Sequence, residues 1–205
     1  MARFTAENTI LAREIIARYP RPKSALIPLL HLAQEQDGFV ADDAMEHIAE
    51  LVGVTPAQVQ SVASFYTMFK PDPVGRYLVS VCTSISCHLL GGDEVFASVE
   101  QASGVEHGQT SEDGTFTVEH VECIGACGGA PAVQVNYETV EGLTVEKAEA
   151  LVAWLRETAP AVVLADEMQQ LFGGQRSFPW GPTEPEGAMG PVPAFAPYGS
   201  AGEGR

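Results

Sequence analysis

The chain has four cysteines, in two close pairs: four residues separate Cys82 from Cys87, and three separate Cys123 from Cys127. Together they make a complete tetrathiolate set with no thiol left over. Each pair is embedded in small or glycine residues, VCTSISC and ECIGACGGAP. Three chemistries use four cysteines. Disulfides belong to oxidising compartments. The start MARFTAENTI shows neither an apolar run after a basic segment nor an acid-poor amphipathic transit segment, so a thiol protein of a reducing cytoplasm is expected. Structural zinc favours two residues between paired cysteines, although up to four occur. A [2Fe–2S] cluster takes four thiolates, commonly in an arrangement that opens with four residues between the first two. Spacing favours iron–sulfur and leaves zinc and redox thiols open.

Glycine adds weight. Cluster sulfides and thiolates are negative, so backbone N–H groups must approach closely, and residues without a Cβ let a loop turn them inward. Gly125, Gly128 and Gly129 surround the second pair; Thr83, Ser84 and Ser86 offer hydroxyls at the first. Taken singly, each is ordinary turn chemistry. Their concentration at both pairs is the signal.

These residues need elements to carry them, and 205 residues at 45% hydrophobic content suffice for one large or two small domains. No run approaches a membrane span. A net charge of −16 with 11 basic residues excludes nucleic-acid and anionic-lipid binding. An acidic surround also opposes adding an electron to an anionic cluster, which favours a low potential.

Residues 1–70 read as a small helical domain. Ile10, Leu11, Ile15 and Ile16 fall at helical spacing before a break at Pro20 to Pro22. Leu26, Ile27, Leu29, Leu30, Leu32 and Ala33 form an apolar face ending at Gly38, and a third helix covers 41–52. Thr55-Pro56-Ala57-Gln58 combines an N-cap, a proline at the first helical position and a capping-box glutamine.

Residues 71–160 change texture. RYLVSVC, 76–82, reads as a strand delivering Cys82 at its end, and TFTVEHVEC, 115–123, as a half-buried strand delivering Cys123. A helix is expected over 88–102, its N-terminus directed at the thiolates although Gly91 and Gly92 interrupt it. AVQVNY, 132–137, is a strand, and Thr144 caps a helix carrying Val145, Ala148, Leu151, Val152 and Leu155. Cysteines at two strand ends in a strand, helix, strands, helix order make a thioredoxin-like arrangement, with the site at carboxyl ends. Residues 161–205 read as a C-terminal extension, Pro/Gly-rich from 173, where eight glycines and six prolines fall in 33 positions. Such composition forms no packed core and reads as chain that is extended or disordered when alone. Phe178, Trp180, Phe195 and Tyr198 punctuate it as anchors for a partner or as parts of a dispensable extension. The fold class expected is α/β.

Four segments carry a family resemblance: ALIPLLHLAQEQDGFV (25–40), TPAQVQSVASFYTMF (55–69), GRYLVSVCTSISC (75–87) and ECIGACGGAPAVQVN (122–136). Over residues 8–158 the chain resembles the NuoE-type subunit of respiratory complex I, the proton-pumping NADH:quinone oxidoreductase. The diaphorase parts of NAD-linked hydrogenases and formate dehydrogenases share that module. The resemblance implies a thioredoxin-like ferredoxin domain holding one [2Fe–2S] cluster, with Cys82 and Cys87 on one iron and Cys123 and Cys127 on the other. It implies a partner subunit (NuoF-type) that binds FMN and NADH, and a large iron–sulfur subunit (NuoG-type) beside it. The cluster would exchange single electrons with the partner's flavin, off the main line of clusters leading to quinone. This chain has no glycine-rich phosphate loop after a suitable strand, so hydride transfer lies outside it. The implied location is the cytoplasmic side of a bacterial inner membrane, held through the complex and not inserted.

Other residues rank lower. His88 adjoins Cys87, but a Rieske centre needs two histidines in place of two cysteines. His31, His47, His107 and His120 are scattered, and Glu122 reads as a solvated charge. Phe65, Tyr66 and Phe69 read as packing between the two domains. Pro131 sits where related folds place a cis-proline, against a statistical default of trans. A structural zinc module acting only in assembly is the reading from another class.

Overall fold

Two hydrophobic patterns of different period divide the chain, and it folds as two units separated in sequence between Pro73 and Val74. The computed structural model describes residues 3–177. Phe178, Trp180, Phe195 and Tyr198 lie outside the described residues.

The first unit is helical: α1 (Ala6–Ala17), α2 (Leu26–Asp37), α3 (Asp42–Val52) and α4 (Pro56–Phe65), with a 3-10 turn at Pro22–Ala25. The capping box at α4 forms in both directions, Thr55 accepting from Gln58 N and the Gln58 side chain accepting from Thr55 N. Gly38 and Gly53 end α2 and α3 at positive φ, as glycine does where a left-handed residue closes a helix. Leu29, Leu30, Ala33, Ile48 and Val59 fill the core. Within it the buried Gln34 accepts from Lys70 N at 2.7 Å and donates to Met68 O at 2.9 Å. Phe69 is buried in this same core, edge-on to His31, whereas Phe65 is exposed. Packing inside the helical unit accounts for the burial of Phe69.

The second unit is a four-stranded mixed sheet in the order β2-β1-β3-β4, from β1 (Tyr77–Cys82), β2 (Phe116–Val121), β3 (Ala132–Val135) and β4 (Glu138–Glu141). β1 and β2 run parallel, Cys82 pairing with Val121; β1–β3 and β3–β4 are antiparallel. Val79, Val81, Val118 and Val133 pack with α6 (Gly92–Ser103), α7 (Val145–Thr158) and α8 (Ala165–Phe172) in one core. Side chains alternate across a strand, so Cys82 shares the opposite face with Leu78 and Ser80. The helix expected over 88–102 is two helices, α5 (Ile85–Leu89) and α6, broken at Leu90–Gly91. Gly91 takes φ +93 there, which resets the chain direction at little cost for glycine.

The segment read as an extension from residue 161 contains α8, whose Met168 and Phe172 complete the sheet core. Packing then continues past 173. Gly174 N donates to Glu141 O at 2.8 Å and Lys147 Nζ to Gly173 O at 2.6 Å, so at Gly173–Ser177 the Pro/Gly-rich segment is packed against the sheet unit, with extended backbone at Gly173. Hydrogen bonds to the β4 backbone and to polar side chains of β4, α7 and α8, not a hydrophobic face of its own, hold this stretch down.

The β3–β4 hairpin turns on Asn136 and Tyr137, both at positive φ, the pattern of a two-residue primed turn. Asn136 is buried, with Oδ1 accepting from Leu78 N at 2.8 Å and Nδ2 donating to Arg76 O at 3.0 Å. Asn136→Ala strands a buried N–H and places a Cβ residue without a local hydrogen bond at positive φ. A loss of about 2–4 kcal/mol in unfolding free energy is expected; an unchanged denaturation midpoint would refute it.

Candidate metal centre

Strand ends deliver the first cysteines. Cys82 is the last residue of β1 and Cys87 lies inside α5, both buried. The helix N-terminus expected after Cys87 therefore falls before it, at Ser84–Ile85. Ala126 and Ala132 pack with the two thiols in a small cluster separate from the main core. Cys82 Sγ lies 3.6 Å from Glu122 O, which ties the end of β1 to the loop after β2.

Burial pushes the Cys87 thiol up to about 12, reinforced by a hydrogen bond with Cys82 and by the nearby Cys82 and Cys127 charges, against a lowering contact from the Ala132 backbone. Two buried thiols oppose each other's ionisation, whereas a coordinated metal deprotonates its thiols outright. The donor set suits a soft, thiophilic metal group.

Cys127 opens a 3-10 turn, Cys127–Gly129, and Cys123 stands two residues beyond β2; both are exposed. The fold thus gathers Cys82, Cys87 and Cys127 within electrostatic reach, while Cys123 lies outside the buried group. Among the described residues, no three Cys, His, Asp or Glu side chains converge as a single-ion site requires. All four cysteines are free thiols.

The glycines divide by role. Gly125 has φ +89 with open space beside it, consistent with a turn that leaves N–H groups accessible. Gly128 and Gly129 instead lie against the chain's own C-terminal stretch. A Cβ on Gly128 would stand 3.2 Å from Ser177 Cα, and one on Gly129 would run into the Glu141 carboxylate and Gln175 O. Close backbone approach is required at these two positions, but by residues 175–177. The Ala130–Pro131 peptide just beyond is cis, against the trans default.

His88 is exposed and bonds Asp93 at 2.8 Å, pointing away from a ligand role. His107 and His120 stack at 4.2 Å beside Phe96. Sequence reasoning missed Glu141, fully buried next to the Cys127 loop, and the Gly173–Ser177 strap bound to it. An acidic residue before a glycine, as in TVEGL, reads locally as a solvated turn. Only the long-range approach of residue 177 reveals it.

Comparison with known proteins gives a family and a fold. The family model described as thioredoxin-like [2Fe-2S] ferredoxin matches residues 12–156. An NADH-quinone oxidoreductase subunit of Mycobacterium tuberculosis is 46% identical over 149 residues, covering 73% of this chain and 59% of the relative. The chain thus spans somewhat under two thirds of that protein's length. A second NADH-quinone oxidoreductase subunit, from Thermus thermophilus, is 41% identical over 146 residues, covering 70% of this chain and 81% of the relative. Among solved structures, an air-oxidised NAD+-reducing [NiFe]-hydrogenase superposes with a TM-score of 0.59 at 22% identity, over 73% of this chain and 25% of that one. At that identity the likeness is one of fold.

Proposed function

We propose that the chain, which belongs to the thioredoxin-like [2Fe–2S] ferredoxin family, is the electron-transfer subunit of the NADH-oxidising module of a proton-pumping NADH:quinone oxidoreductase. The observation carrying this reading is the buried pair of Cys82, at the carboxyl end of β1, and Cys87, in α5, with Cys127 near enough on the loop after β2 for its charge to act on Cys87. The mycobacterial and Thermus relatives, both named as subunits of such an oxidoreductase, support it.

On this reading Cys82 and Cys87 hold one iron and Cys123 and Cys127 the other. Neither pair has the two intervening residues usual in a zinc knuckle, and four between the first two cysteines suits a [2Fe–2S] centre. When bound, a [2Fe–2S] cluster supplies a store for one electron. The chain's own residues fix how it is reached: Cys82 and Cys87 are closed off from water, whereas Cys123 and Cys127 open outward.

Beside Cys87, α5 and the residue after it expose Ile85 at 74%, Leu89 at 76% and Leu90 at 61%. Large apolar side chains grouped next to a redox centre suit a partner that excludes water. That partner is the FMN- and NADH-binding subunit, with the large iron–sulfur subunit completing the module. Among the described residues no helix is long and apolar enough to cross a membrane, and attachment to the cytoplasmic face runs through these subunits.

Anaerobic purification is expected to return iron and acid-labile sulfide in equal amounts, with a paramagnetic resonance signal on reduction. Zinc without sulfide would establish the structural module instead. Leu89→Asp is expected to keep the visible spectrum while weakening association with the flavin subunit at least about tenfold, the scale of one buried apolar side chain. Undiminished co-purification would remove α5 from the interface.

A further inference from the structure

Ser177, the last of the described residues, carries a donor that nothing among them uses. Its backbone N–H donates to Glu141 Oε2 at 2.7 Å. Its Oγ lies 3.3 Å from where a Cβ on Gly128, the residue after Cys127, would stand. That Oγ is buried and has no hydrogen-bond partner among the described residues. A buried hydroxyl without a partner carries its full desolvation penalty, so a chain that keeps one has an acceptor still to come.

The surroundings hold this hydroxyl in place. Glu141 is fully buried. Gln175 Nε2 donates to Gly128 O at 3.4 Å, and Gly142 lets the Gln175 backbone N come within 2.7 Å of where a Cβ would stand. Gln169 Nε2 bonds both Glu141 O and Gly174 O, at 3.1 and 3.2 Å. Strap, β4 and the Cys127 turn are therefore one hydrogen-bonded unit.

We propose that the Ser177 hydroxyl donates to the sulfur shell of the cluster on its Cys127 side, and that Glu141 is the positioning residue that seats it. This rests on the assignment of Cys127 as a ligand. The acceptor is an anionic sulfur, thiolate or sulfide. A donor to it stabilises the more negative, reduced state, because hydrogen bonds to the sulfurs help set the potential.

The test is a redox titration, followed by paramagnetic resonance, of the full-length chain purified anaerobically. Ser177→Ala is expected to retain its iron and sulfide but, at a poise where the wild type is half reduced, to show a reduced-to-oxidised ratio about tenfold lower. Glu141→Gln keeps an acceptor oxygen for the Ser177 N–H and is expected to titrate near the wild type, whereas Glu141→Ala follows Ser177→Ala. Should Glu141→Ala fail to fold, the Ser177→Ala titration still decides. A Ser177→Ala chain with the wild-type potential and resonance overturns the proposal while leaving the cluster assignment intact. A wild-type chain without iron and sulfide overturns both.

Discussion

Cys82→Ala and Cys127→Ala are each expected to yield a chain lacking the visible absorbance and reduced-state resonance of the wild type, and less stable than it by several kcal/mol. Metal-binding free energy is partly folding free energy. A cluster joining Cys82 to Cys127 closes a loop of about 45 residues, which on the chain-entropy scale for cross-links is worth about 4 kcal/mol. The two variants should differ in what remains. Cys82 is buried beside Cys87, so its truncation also leaves a small void, whereas Cys127 is exposed and its loss costs mainly the cross-link. Unfolding of the loaded wild type, the chelator-treated wild type and both variants separates these contributions. Either variant holding full absorbance and stability would show that its cysteine is not a ligand.

Gly92→Ala is the second substitution with a large expected effect. A Cβ there would stand 2.8 Å from Cys87 O and 2.9 Å from Cys82 O, both backbone atoms that cannot rotate aside. Overpacking of this kind costs about 1–3 kcal/mol, occasionally more. Here the displaced atoms belong to the two residues whose spacing defines the buried pair, so cluster content should fall along with stability. Gly91→Ala is the control. It suffers strain at φ +93 but meets only the flexible Glu94 carboxylate, at 3.6 Å. Iron and sulfide analysis of both variants, with thermal unfolding, distinguishes steric intrusion on the cysteine loop from backbone strain alone. Equal cluster content in the two would refute the steric account.

What could be read from the sequence had local causes. The Thr55–Gln58 capping box and the β-branched run ending at Cys82 are decided within a few residues, and each lies where its pattern places it; the run before Cys123 is a strand too, but it stops at Val121, two residues short of the cysteine, and buries Phe116, Thr117 and Val118 in succession. Gly91 and Gly92 carried a visible warning as interruptions of the helix after Cys87. Their separate jobs, a reversal of direction at Gly91 and backbone contact at Gly92, depend on where Cys82 O ends up. Gly128 and Gly129 were legible as positions needing close approach, but not what approaches them, because Ser177 and Gln175 are far away in sequence. Composition also hid α8 and the strap: the first has only a narrow apolar stripe, Met168 and Phe172, and the second is held by the Gly174 N to Glu141 O bond together with the side chains of Glu141, Lys147 and Gln169, whose partners no local pattern announces.

The alternation along β1 has one more consequence. Val79 and Val81 belong to the helix-packed core and Cys82 to the thiol cluster, so a single strand serves two ledgers whose side chains do not meet. Substitutions that repack the interior and substitutions that retune the electron carrier draw on different positions of the same six residues. Their effects should add where the positions lie apart, as at Val79 and Cys82, and couple at Val81 and Cys82, which share a backbone link. Thermal tolerance and redox tuning are thereby separable along most of β1 but tied together at its last two residues.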